Sequence, residues 1–79
     1  MDNIENVIEI FKKAQPHRRP VKYARAGKRW YIYTTSNDLK ISTLVENGWY
    51  YVEDGIVLPV TPLDMPKEIN LKQVPVRLR

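Results

Sequence analysis

The chain reads as an α+β protein: an N-terminal amphipathic helix packed on a small antiparallel sheet of two hairpins, with an extended Pro-rich C-terminal arm. Three observations predict this. Apolar residues recur at helical spacing near the N-terminus. Two pairs of β-branched and aromatic runs flank short Gly-containing turns. Beyond Thr61, prolines punctuate apolar residues that follow no clean helical period.

Ile4, Val7, Ile8 and Phe11 follow the i, i+3, i+4, i+7 pattern of one helical face, which places a helix over Asp2 to Gln15. Asp2 or Asn3 can cap it, since either side chain offers an oxygen to the unpaired amides of the first turn. Early acids and the late Lys12 and Lys13 suit the helix dipole, and Glu9 lies four residues before Lys13 in the favourable order. Pro16 ends the helix. Pro-His-Arg-Arg-Pro then forms a stiff basic connector, because each proline disfavours the helical region for the residue before it.

Val-Lys-Tyr-Ala and Trp-Tyr-Ile-Tyr-Thr-Thr predict the first hairpin, over Val21 to Ser36. A two-residue turn at Ala26-Gly27 would pair Tyr23 with Trp30 and Val21 with Ile32 on one face. Lys22, Arg29, Tyr31 and Tyr33 would then share the other. A three-residue loop with Gly27 left-handed is equally legal turn chemistry but mixes the faces. Hydrophobic consistency favours the first register, against the poor fit of Ala26 to positive φ.

The stretch from Asn37 to Gly48 admits two readings. Asn47-Gly48 between apolar runs is a hairpin signal. Ser36, Asn37 or Asp38 could instead cap a short helix over Leu39 to Asn47, with Gly48 as its left-handed terminator, and the helix is preferred. Trp49 to Glu53 and Ile56 to Val60 form the second hairpin around Asp54-Gly55. Pro59 places its second strand at a sheet edge or at its own end. Residues 1–61 thus make one small domain, and 62–79 an arm that winds over it or adds an edge strand to a partner.

Seventy-nine residues allow one domain, with no cysteine to staple it. The formal charge of +4, from 13 Lys+Arg and 9 Asp+Glu, is unevenly spread. Residues 1–9 hold only acids, Asp2, Glu5 and Glu9. Ile10 to Asn37 holds eight bases and no acid, and the rest is close to neutral. No run reaches the ~18–20 apolar residues that span a bilayer, and the acidic start is the reverse of a secretory signal. A cytoplasmic, non-membrane protein is expected.

Catalysis needs a nucleophile within reach of a tuned base. Here there is no Cys, and the one His, His17, sits among arginines in a loop. One His without clustered acids cannot fill a tetrahedral metal site. Gly27, Gly48 and Gly55 are isolated turn glycines and make no phosphate loop. No enzyme activity, metal or cofactor is expected.

The basic block is interleaved with aromatics, and a one-helix domain buries only one sheet face. Phe11, Tyr23, Trp30 and one of Trp49 or Tyr50 are the expected core rings. Tyr31 and Tyr33 are left to share a face with Lys22 and Arg29. Cations beside exposed rings are what single-stranded nucleic acid binding uses. The expected nucleic-acid or polyanion site is therefore Arg18, Arg19, Lys22, Arg25, Lys28, Arg29, Tyr31 and Tyr33. Against it stands the plainer reading of a solvated basic face. An alternative is a protein-interaction or assembly module that docks on an acidic protein surface or forms a homo-oligomer. It would act through the arm residues Leu63, Met65, Ile69, Leu71 and Val76, too apolar to be left in water.

In general character the chain is similar to the small proteins of bacteriophages of low-GC hosts: short, basic, cysteine-free, and rich in Lys, Ile and Asn. The similarity covers style and no residue pattern. It implies binding, inhibition or particle assembly rather than metabolism, in a host cytoplasm or a virion.

Overall fold

The computed structural model describes residues 3–36, 48–64, 66 and 69–79. They form one helix, α1 (Ile4–Ala14), packed on a five-stranded antiparallel sheet. The strands are β1 (Arg18–Ala26), β2 (Arg29–Ser36), β3 (Trp49–Glu53), β4 (Ile56–Pro59) and β5 (Lys72–Gln73), in the order β4-β3-β2-β1-β5. The helix expected over 39–47 lies outside the described residues, as do Asp2 and Met65 of the expected cap and arm.

Asn3 caps α1: its side-chain oxygen accepts the Asn6 amide at 3.0 Å. Val7, Ile8 and Phe11 are buried, and they meet Trp30, Ile32, Tyr50, Val52 and Val74 in the core. Phe11 approaches Tyr50 edge-on, with ring centroids 5.6 Å apart. Phe11, Trp30 and Tyr50 are thus core rings, and Tyr23 packs on them partly buried.

The first hairpin turns one residue later than the expected Ala26-Gly27. Ala26 pairs with Arg29, so Gly27 and Lys28 make the turn. Gly27 carries φ 63, the demand a type II′ turn makes at its first central position. Ala26 is thereby spared positive φ. Moving the turn by one residue slides each pairing by two, so Tyr23 faces Ile32 rather than Trp30. Because side chains alternate with period two, Tyr23, Trp30 and Ile32 keep the face expected of them, but the expected Val21–Ile32 pair does not form, for Val21 has no partner on β2.

The expected connector also shortens, for Arg18 to Pro20 already belong to β1. Pro20 pairs with Thr34 and Lys22 with Tyr33, leaving Val21 as the extra residue of a bulge. A bulge is where a strand tolerates a proline. The second hairpin forms as expected around Asp54 (φ 53) and Gly55 (φ 77), the paired positive values of a type I′ turn. Pro59 ends β4 on the sheet edge.

The arm, expected to wind over the domain or to add an edge strand to a partner, lies among its described residues on the chain's own sheet. From the β4 edge the chain crosses to the opposite edge, where β5 pairs with Lys22 and Tyr23 of β1. Val74 donates its amide to Val21 O at 2.9 Å and is 1% exposed in the core. Leu78 packs against the same cluster. The edge strand foreseen for a partner is therefore added to the chain's own sheet. Leu63, by contrast, is 98% exposed, and Leu71 and Val76 also face solvent.

Candidate nucleic-acid interface

Alternation along β2 divides its side chains. Trp30, Ile32 and Thr34 point toward α1 and are buried. Arg29, Tyr31, Tyr33 and Thr35 lie on the opposite face. Register carries the division to β3, because Tyr31 faces Tyr51 and Tyr33 faces Trp49. The ring centroids of these pairs are 6.0 and 5.2 Å apart, and both pairs are tilted. Tyr33, Trp49 and Tyr51 are half-buried. Tyr31 is buried, and its hydroxyl donates to the Asp64 carbonyl at 3.3 Å, which brings the 3₁₀ turn Pro62–Asp64 onto this face.

β1 supplies the cations. Arg19 faces Thr35 and Lys22 faces Tyr33, both exposed on the side away from the helix. Three residues apart on a regular strand they would fall on opposite faces. The extra residue Val21 brings them to the same one. The bulge thus sets Arg19 and Lys22 beside the aromatic pair.

Arg29 completes the face but is not a free charge. Its Nε donates to Glu53 Oε1 at 3.0 Å, and its guanidinium lies 4.3 Å from the centroid of Tyr51. Hydrogen bonds to the Tyr31 hydroxyl and to Glu53 push its pKa above even its ordinary high value. It stays cationic, with Glu53 balancing it. Beyond Glu53, Ile56 and Leu58 of β4 prolong the face as an apolar margin, 58% and 45% exposed.

The other expected members of the site lie elsewhere. Arg18 is 5% exposed on the helix side, donating to Thr34 Oγ1 at 3.1 Å, with its guanidinium 5.4 Å from the Tyr50 ring. Arg25 also projects to the helix side, 5.2 Å from the Trp30 ring centroid, while its Nε donates to Gly27 O. Lys28 is exposed at the hairpin turn. The structure therefore brings together Arg19, Lys22, Arg29, Tyr31 and Tyr33, with Tyr31 as a buried support. Arg18 and Arg25 belong to the opposite side.

Trp49 and Tyr51 were missed by sequence reasoning. The signal was present: Asp54-Gly55 fixes the register of the second hairpin, and alternation then separates Trp49 and Tyr51 from the core pair Tyr50 and Val52.

Among the described residues no group of three or more His, Asp or Glu side chains converges as a metal site. None of their helices is long and apolar enough to cross a membrane. Comparison with protein-family models, with curated proteins and with solved structures finds no match to this chain.

Proposed function

We propose that the protein is a non-enzymatic binding module for single-stranded nucleic acid. The observation that carries this reading is the juxtaposition of Arg19 and Lys22 with the half-buried Tyr33–Trp49 pair on the sheet face away from α1. Every nucleobase has a π-face, so base stacking on Tyr and Trp tolerates sequence, while the cations track phosphates. Tyr51 extends the aromatic surface, and Arg29 stiffens it by covering Tyr51 and bonding Glu53. A duplex hides its base faces within the stack, so this surface favours unpaired strands.

The test is titration of a fluorescent single-stranded oligonucleotide into the intact chain at low salt, beside a duplex of the same sequence. Tighter binding of the single strand supports the reading, and Lys22→Glu should weaken it at least about fivefold, since one well-placed charge is worth roughly 1 kcal/mol near a polyanion. Tyr33→Ala should cost about 1–3 kcal/mol per lost stacking contact. Failure to bind any oligonucleotide at low salt removes the proposal.

A second reading is a protein-interaction or assembly module. The exposed Ile56 and Leu58, on the same face as Tyr51, favour it, as does the 98% exposure of Leu63. In that case the chain self-associates or holds a protein partner through the β4 margin. Sedimentation at high concentration tests self-association. An Ile56→Lys, Leu58→Lys double variant should abolish a dimer, and a strict monomer counts against self-association.

A further inference from the structure

At the outer edge of β1, on the side away from Arg19 and Lys22, a cleft of about 380 Å³ opens between the strand, the first turn of α1 and the chain entering β5. Its size lies within the range of small-ligand pockets. Ile4, Tyr23 and Trp30 give it an apolar wall, and Tyr23 and Trp30 pack at a centroid distance of 6.1 Å. Arg25 and Lys72, both exposed, bring two cations to it, and Asn70 also lines it. Among the described lining residues none is acidic.

The cleft exists because β5 is short. It pairs only with Lys22 and Tyr23, so β1 continues past its neighbour through Ala24 to Ala26. The amide that Val74 donates to Val21 shows which residues of β1 face β5, and ladder alternation makes Tyr23 and Arg25 the next two. Tyr23 is met by Lys72, whereas Arg25 has no β5 residue opposite it. Its backbone N–H and C=O therefore face the cleft.

We propose that this cleft binds a small anion bearing a flat ring. The ring lies against Tyr23, beside the Trp30 ring that the Arg25 guanidinium covers at 5.2 Å, and the anionic group sits between Arg25 and Lys72 with the Arg25 amide as a further donor. Phosphate and carboxylate satisfy this chemistry equally. The site shares no cation with Arg19 and Lys22, so it stands or falls apart from the nucleic-acid reading.

The experiment is NMR titration of the intact, isotope-labelled chain with adenosine 5′-monophosphate and, separately, with phenylacetate. The expected result is saturable shifts of the Trp30 indole N–H and of the Arg25 and Lys72 amides with at least one of them. Preference for the first identifies a phosphate site and for the second a carboxylate site, and either supports the proposal. Adenosine and inorganic phosphate should each bind at least about tenfold more weakly than the monophosphate if that is the ligand class. Lys72→Gln should weaken binding roughly fivefold, whereas Lys13→Gln, at the exposed far end of α1, should leave it unchanged. The proposal is overturned by absence of saturable shifts at these three residues up to about 10 mM of either probe, a weak limit for specific binding. It is equally overturned if Lys72→Gln binds as tightly as the parent chain.

Discussion

Thr34 and Gly48 show how single residues set the seam between β2 and β3. Gly48 O accepts both the Thr34 amide, at 2.8 Å, and the Thr34 hydroxyl, at 2.7 Å. Gly48 has φ 71, and a Cβ there would meet Thr34 O at 2.8 Å. Gly27 has a similar φ of 63 but open space around it. Gly48→Ala should therefore cost more than Gly27→Ala, which carries only the left-handed penalty of about 1–2 kcal/mol. Urea denaturation of the two variants measures the difference. Thr34→Val removes the acceptor of a buried Arg18 N–H and should cost about 1–3 kcal/mol by the same assay. Arg29 sets a different expectation. Its raised pKa means that its contribution to folding is complete across the acidic, neutral and moderately alkaline range and is lost only as pH climbs through that raised value. Between pH 5 and 9 its titration should therefore add no slope to stability, a flat contribution that the Arg29→Gln variant can be compared against across pH.

At the scale of elements, the arm and the first hairpin are instructive. Val74 is buried with its amide bonded to β1, so Val74→Ala should destabilise the fold by about 2 kcal/mol, the loss of two buried methylene equivalents plus a small cavity. Deleting 62–79 would remove this contact together with β5 and Leu78, and should unfold the chain rather than merely release a partner. Circular dichroism of the truncated chain checks this. The helix was legible because Ile4, Val7, Ile8 and Phe11 repeat at its period, and both turns announced themselves through glycine. The exact turn of the first hairpin was not, because hydrophobic pairing and glycine placement pulled it to positions one residue apart. Gly27 prevailed, since strain at Ala26 would persist while either register buries the same face. The bulge at Val21 left no mark in the hydrophobic pattern beyond Pro20, and with it went the true start of β1 and the placement of Arg18 and Arg19.

Across the whole molecule, charge separates by side. The sheet face away from α1 holds Arg19 and Lys22 beside rings, and the helix side holds Arg18, buried, and Arg25 at the edge cleft. Binding of a single strand by Arg19 and Lys22, with Lys28 at the adjoining turn, involves about three phosphates. The logarithm of affinity should then fall against the logarithm of salt with a slope near −2, following −0.7 per phosphate for single strands. A slope near zero would point instead to the apolar margin of Ile56 and Leu58. The radius of gyration, 11.6 Å, is that of a compact folded chain of this length, about 11.6 Å, in keeping with an arm that lies on the domain.

The α+β class, the helix and its buried stripe, both hairpins and the sharing of one face by Lys22, Arg29, Tyr31 and Tyr33 followed from the order of residues alone. Each depends on local periodicity or turn chemistry, which act over a few positions. Only the tertiary structure decided which of the eight clustered bases reach solvent together, that Tyr31 is buried with its hydroxyl on the Pro62–Asp64 turn, and that the Pro-rich arm adds an edge strand to its own sheet. Those outcomes depend on which strands become neighbours and on one bulge residue, contacts between positions far apart in sequence that no local pattern encodes.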